Sequence, residues 1–82
     1  MTNVTMTNSE KMQWLIDNHK EIVDEAISIS VGMTDSVQMD AESYWKHFSS
    51  HDSTLGENGS DYVYHEKYIN RIRFFCLTAR RR

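Results

Sequence analysis

Residues 60–82 read SDYVYHEKYINRIRFFCLTARRR, and the period assigned to this stretch decides the fold. His65, Tyr68, Ile69, Ile72, Phe75, Cys76 and Ala79 follow one another mainly in steps of three and four, the spacing of one helical face. Phe74 and Leu77 widen the apolar arc, while Lys67, Arg71 and Arg73 take other faces. Arginines towards the C-terminus also suit the helix dipole. The spacing predicts a last helix that begins at Ser60 or Asp61.

Working outward, residues 49–61 (SSHDSTLGENGSD) hold the densest run of turn formers in the chain. They read as one longer loop, with Leu55 as an anchor onto the core. Before the loop, Thr34 or Asp35 can cap a helix, and Asp35 with Gln38 has capping-box spacing. Val37, Ala41, Tyr44, Trp45 and Phe48 then mark one helical face that ends near Ser49. The first helix is the clearest. Thr7 with Glu10 forms a capping box, Asn8 being the other candidate cap. Met12, Leu15, Ile16, His19, Ile22, Val23, Ala26 and Ile27 follow at helical spacing. Ile27-Ser28-Ile29-Ser30-Val31 alternates like a strand, but it has no partner in this reading. It is therefore the end of a helix running from about Asn8 to Val31, stopped by Gly32. The expected fold is all-α: a small single-domain bundle of about three helices over residues 1–82, with the longer loop before the last helix. Residues 1–7 and 80–82 are expected to fray.

Composition supports one domain. A chain of 82 residues buries only about 60–65% of its unfolded surface. With no proline and three glycines, a turn-rich sandwich or barrel is disfavoured. The single cysteine, Cys76, rules out an intramolecular disulfide and fits a reducing compartment. No apolar run approaches the roughly 18–20 residues of a membrane span. The opening MTNVTMTNSEKMQW lacks the basic start and apolar run of a secretory signal. A soluble, cytoplasmic chain without direct membrane insertion is expected.

The formal net charge of −3 hides an asymmetry. Residues 1–42 carry eight acids and two bases, and residues 43–82 carry four acids and seven bases. This split serves packing between the halves, a charged partner, or nucleic acid.

Catalytic and metal motifs are missing. His47 and His51 stand four apart, as zinc ligands on one helix can, with His65 or Asp52 to complete a set, but Ser49-Ser50 ends the helix before His51. There is no HExxH, no nucleophile elbow and no phosphate-cradling glycine loop. Cys76 lies on the apolar stripe as a small hydrophobe. No enzyme, metal or cofactor is expected. A nucleic-acid or transcription-modulating role would use Arg71, Arg73 and the terminal arginines on the basic last helix. The sequence pI of about 5.7 and the acidic first half oppose it, since phosphate binding needs clustered cations.

Protein binding fits the remaining features better. Trp14 projects opposite the Met12–Leu15–Ile22 stripe, and Phe74 is displaced from its own stripe in the same way. Tyr62 and Tyr64 crowd the start of the last helix. Aromatics beside charge are typical interface anchors. The partner-binding candidates by physical character are Trp14, Trp45, Tyr64, Arg71, Arg73 and Phe74, with Trp45 the one among them best suited to plain core.

The segments EKMQWLIDNHKEIVDEAI (Glu10–Ile27) and YHEKYINRIRFFCLTARRR (Tyr64–Arg82), at this total length, resemble the small cytoplasmic antiholins of T-even-type phages. The resemblance runs end to end and transfers no functional residue. It implies a protein that binds the cytoplasmic N-terminal part of a phage holin and delays host cell lysis by stoichiometric contact. It implies a place in the host cytoplasm, with recruitment to the inner face of the inner membrane through the holin. Self-association is a third class, and it would show as concentration-dependent stability.

Overall fold

The computed structural model describes residues 6–59 and 61–79. Two helices lie on one face of a five-stranded mixed sheet, so the expected all-α bundle is overturned. The elements are α1 (Asn8–Glu25), β1 (Ser28–Ser30), β2 (Ser36–Met39), α2 (Ala41–His47), β3 (Thr54–Asn58), β4 (Tyr62–Ile69) and β5 (Ile72–Ala79). The strand order is β1-β2-β5-β4-β3. All neighbouring pairs are antiparallel except β2 and β5, which run parallel.

The stretch expected to form the last helix is the β4–β5 hairpin. Its two-residue turn, Asn70-Arg71, has positive φ at both positions (52° and 65°), the pattern that matches strand twist in a two-residue hairpin loop. The helical stripe was an accident of this turn. His65 and Ile69 on β4, and Ile72 and Cys76 on β5, all point to the helix side, and Ile69 pairs directly with Ile72. Two strands with a period of two, joined across a tight turn, thus generate steps of four, three and four. Tyr68, Phe75 and Ala79, counted in that stripe, face the other way.

The remaining corrections follow from the same sheet. Helix α1 starts as expected, with the Thr7 hydroxyl accepting from the Glu10 N–H at 3.2 Å and the Glu10 carboxylate accepting from the Thr7 N–H at 2.8 Å. Thr7, placed among the frayed residues, is therefore the cap. Residues 1–5 and 80–82, the rest of the segments expected to fray, lie outside the described residues, as does Ser60. The helix ends at Glu25, and the alternating 28–30 segment is a strand because β2 supplies its partner. Gly32, at φ +123°, sits between β1 and β2. Val37 is the centre of β2, and the second helix begins only at Ala41, capped by the Asp40 carboxylate accepting from the Ser43 N–H at 2.7 Å. The expected loop at 49–61 contains a 3₁₀ turn (Ser50–Asp52) and the edge strand β3.

The core lies between the helices and one sheet face. Leu15 and Ile22 of α1, Val37 and Met39 of β2, Tyr44 of α2, and Ile72, Phe74 and Cys76 of β5 are all buried. Among the described residues no helix packs on the opposite face.

Candidate protein-binding face

Strand alternation assigns the residues of the bare face. They are Ser28 and Ser30 on β1, Ser36 and Gln38 on β2, Arg73, Phe75, Leu77 and Ala79 on β5, Tyr62, Tyr64, Glu66 and Tyr68 on β4, and Thr54 and Gly56 on β3. The β1–β2 side is a strip of short polar groups. The β4–β5 side is aromatic.

The aromatic half is organised around Arg73. Its guanidinium lies 4.1 Å from the Phe75 ring centroid and 4.9 Å from that of Tyr64, within cation–π range. Its Nε donates to the Glu66 carboxylate in an ion pair. The two side chains keep 27% and 15% of their surface exposed. Gly56, cross-strand from Tyr64, makes room for this arrangement. A Cβ on Gly56 would fall 2.7 Å from Tyr64 Cε1 and closer still to Cζ and Oη. The tyrosine ring therefore lies over the glycine backbone. Tyr68 and Tyr62 stay 61% and 49% exposed at the two ends of β4.

Of the six candidates from the sequence, the sheet brings Tyr64 and Arg73 together on this face. Arg71 stands beside it in the exposed hairpin turn. The other three lie on the helix side. Phe74 is fully buried, because alternation along β5 puts it opposite Arg73, and this overturns it as a surface anchor. Trp14 packs half-buried against the core, its ring 5.1 Å from that of His19. Trp45 sits edge-on to Tyr44 and His65. Tyr68, Phe75 and Leu77 were missed as members of the face. The signal was present as alternation: Tyr62, Tyr64, Glu66, Tyr68, then Arg73, Phe75, Leu77. The basic last helix of the nucleic-acid alternative does not exist in this fold, and its terminal arginines lie outside the described residues.

A second cluster of charge joins the two helices. Lys46 of α2 donates to Glu25 of α1 at 2.7 Å, and His47 Nε2 lies 3.3 Å from the same carboxylate and 3.9 Å from Glu21. The hydrogen bond from Lys46, then that with His47, holds the Glu25 carboxyl below its usual range, and the same Lys46 bond raises the ammonium. Nearby, helix α1 breaks at His19 (φ −139°, ψ 43°). The His19 ring packs 5.4 Å from Phe74. Burial, and secondarily the charge of His47, lower its pKa. With His47 it lines an open cleft of about 440 Å³.

Burial pushes the Cys76 thiol up, away from a reactive thiolate. His51 belongs to the 3₁₀ turn rather than to the helix of His47. Among the described residues no group of three His, Cys, Asp or Glu side chains is placed to hold a metal ion. None of the described helices is long and apolar enough to cross a membrane.

No protein-family model matches the chain, and comparison with curated proteins and with solved structures gives no match either.

Proposed function

We propose that the chain is a binding module that seats a partner segment on the bare face of its sheet. In this reading the partner is the cytoplasmic N-terminal segment of a phage holin, and occupancy delays host cell lysis. The observation that carries it is the aromatic half of the sheet: Tyr62, Tyr64, Tyr68, Phe75 and Leu77 share one face, and among the described residues no helix lies over them. Aromatics that combine large apolar area with a polar tip are common interface anchors. The resemblance of the two quoted segments to cytoplasmic antiholins supplies the partner. Nothing catalytic is needed. The module must bind the non-lethal state of the holin more tightly than its assembled state, and the shift in population follows from that difference. It acts in the host cytoplasm and reaches the inner face of the inner membrane through the holin. Nucleic acid fits this face poorly, since its one cation among the described residues, Arg73, is already paired with Glu66.

The test is a titration of the isotope-labelled chain with the holin's cytoplasmic peptide, read by amide chemical shifts. Saturable shifts centred on Tyr62–Tyr68 and Arg73–Leu77 are expected. An absence of saturation at roughly millimolar peptide, a free energy of only about 4 kcal/mol, refutes the partner. Shifts confined to α1 and α2 refute the face.

A further inference from the structure

We infer that the segment seated on this face presents a carboxylate to Arg73, flanked by apolar side chains that rest on Tyr68 and on Leu77 with Tyr62. The inference rests on the reading of the bare face as the binding surface, and it adds the chemistry of what is bound.

The guanidinium is already positioned. Two rings hold its plane, Glu66 takes Nε, and a quarter of the side chain remains exposed. Glu66 occupies one of five N–H donors in a rigid fork. Among the described residues the Arg73 side chain makes no hydrogen bond or ion pair besides that with Glu66, its backbone N–H donating to the Asp35 carbonyl, so the Nη edge is open to a bidentate acceptor. A planar carboxylate matches that edge, and both partners lose little freedom because the fork is fixed before binding.

Charge across the molecule points to the same ligand. Helix α1 carries Glu10, Asp17, Glu21, Asp24 and Glu25 against Lys11 and Lys20, all on the layer behind the sheet. Among the described residues the bare face has one acid, Glu66, balanced by Arg73, and Arg71 stands at its edge. An acidic segment is repelled by the helix layer and accepted by the sheet. The apolar flanks follow from exposure at both ends of the ion pair, with Tyr68 at one and Tyr62 beside Leu77 at the other. A phosphate chain is the weaker fit. One guanidinium with a paired acid gives little counterion release, whereas nucleic-acid affinity is built from many such contacts.

The experiment uses the full chain and the holin's cytoplasmic peptide, with each Asp and Glu of the peptide replaced singly by Asn and Gln. Arg73→Lys keeps the charge and removes the fork. It should weaken binding by about tenfold or more, the scale of a charge-assisted hydrogen bond. One amide-substituted peptide should lose a similar factor against the unaltered chain and lose nothing further against Arg73→Lys, the signature of direct coupling. The double variant E66Q/R73Q, which leaves no unpaired charge, should repeat the loss while its unfolding midpoint shows the chain folded. Equal binding of all amide-substituted peptides, or an unchanged affinity for both Arg73 variants, overturns the inference. If Tyr68→Ala weakens binding in that case, the face still stands as the binding surface. If Tyr68→Ala also has no effect, the reading of the face falls with the inference, and if the unaltered peptide does not bind, the holin partner and the inference fall together. Competition by a short oligothymidylate with a steep salt dependence overturns the carboxylate in favour of phosphate.

Discussion

Gly56→Ala should change sign with the residue at position 64. Gly56 has no special backbone angle to protect, since its φ is not in the left-handed region. Its only structural demand is space for Tyr64. In the natural background the new methyl would meet Tyr64 Cζ, Oη and Cε1, and the ring must leave its place over β3. That forfeits the contact with Arg73, about 0.5–1 kcal/mol at an exposed site. If the displaced ring re-exposes about a quarter of the 150–250 Å² an aromatic typically buries, a further ~1–1.5 kcal/mol is lost. Against this, alanine reduces the freedom of the unfolded chain and returns about 0.4–1 kcal/mol. The net result is a destabilisation of about 1 kcal/mol, with an upper limit near 2. In a Tyr64→Ala background only the last contribution survives, and Gly56→Ala should be neutral or stabilising by about 0.5 kcal/mol. Urea unfolding followed by the fluorescence of Trp14 and Trp45, on the four proteins of the double-mutant cycle, measures the coupling. A Gly56→Ala effect of the same sign and size in both backgrounds would refute the placement of Tyr64 over Gly56, and with it the ordered stack on the bare face.

Phe74→Ala removes a fully buried ring in the central strand and should cost about 3–5 kcal/mol, a large part of the roughly 4–12 kcal/mol expected for a domain of this size. Tyr68→Ala, on an exposed ring, should move the urea midpoint little; the reverse ranking would mean that alternation along the hairpin is wrong. The stability of the chain should decline as pH falls from 7 towards 5, because His19 binds a proton more weakly folded than unfolded. Its contribution is complete above the unfolded value of about 6.5 and is lost as pH falls through that value towards the folded one. His19→Gln should flatten this slope, as read from thermal midpoints at pH 7.5 and 5.5, and an unchanged slope would exclude His19 as its source. A second, steeper loss belongs below about pH 4, where Glu25 and Asp35 become protonated. Both are held below their usual range, Asp35 first by the Gly32 N–H and then by Lys11.

The sequence was legible where a signal was local. Thr7 and Glu10 cap each other within four residues, so the start of α1 could be read without knowing its surroundings. The apolar positions Leu15 and Ile22 fell on its buried side for the same reason. What failed was every element whose identity depends on a distant partner. Segment 28–30 alternates visibly, yet its partner is β2, which in turn pairs with β5 more than thirty residues later. The β4–β5 turn carries no glycine, so Asn70-Arg71 gave no strong hairpin signal, and the register across it imitated a helix. Asp35 and Gln38 have capping-box spacing, but Asp35 instead accepts from Gly32 and Lys11, and the cap falls to Asp40. The candidate face was half legible. Tyr64 and Arg73 were picked out by chemistry alone, whereas Phe74 was misplaced because neighbouring residues share a side on a helix's arc but never on a strand.

The order of strands also sets when the molecule can exist. Strand β5 is the middle of the sheet and the last to be synthesised of the five, and β2 has no parallel neighbour until it arrives. Helix α1 and the β1–β2 hairpin therefore leave the ribosome with Leu15, Ile22, Val37 and Met39 uncovered. Such long-range pairing is slow to close, and a nascent chain that displays apolar surface meanwhile is open to capture by chaperones or by its own copies. Expression yield should thus respond to chaperone supply more strongly than the equilibrium stability of the finished domain would suggest.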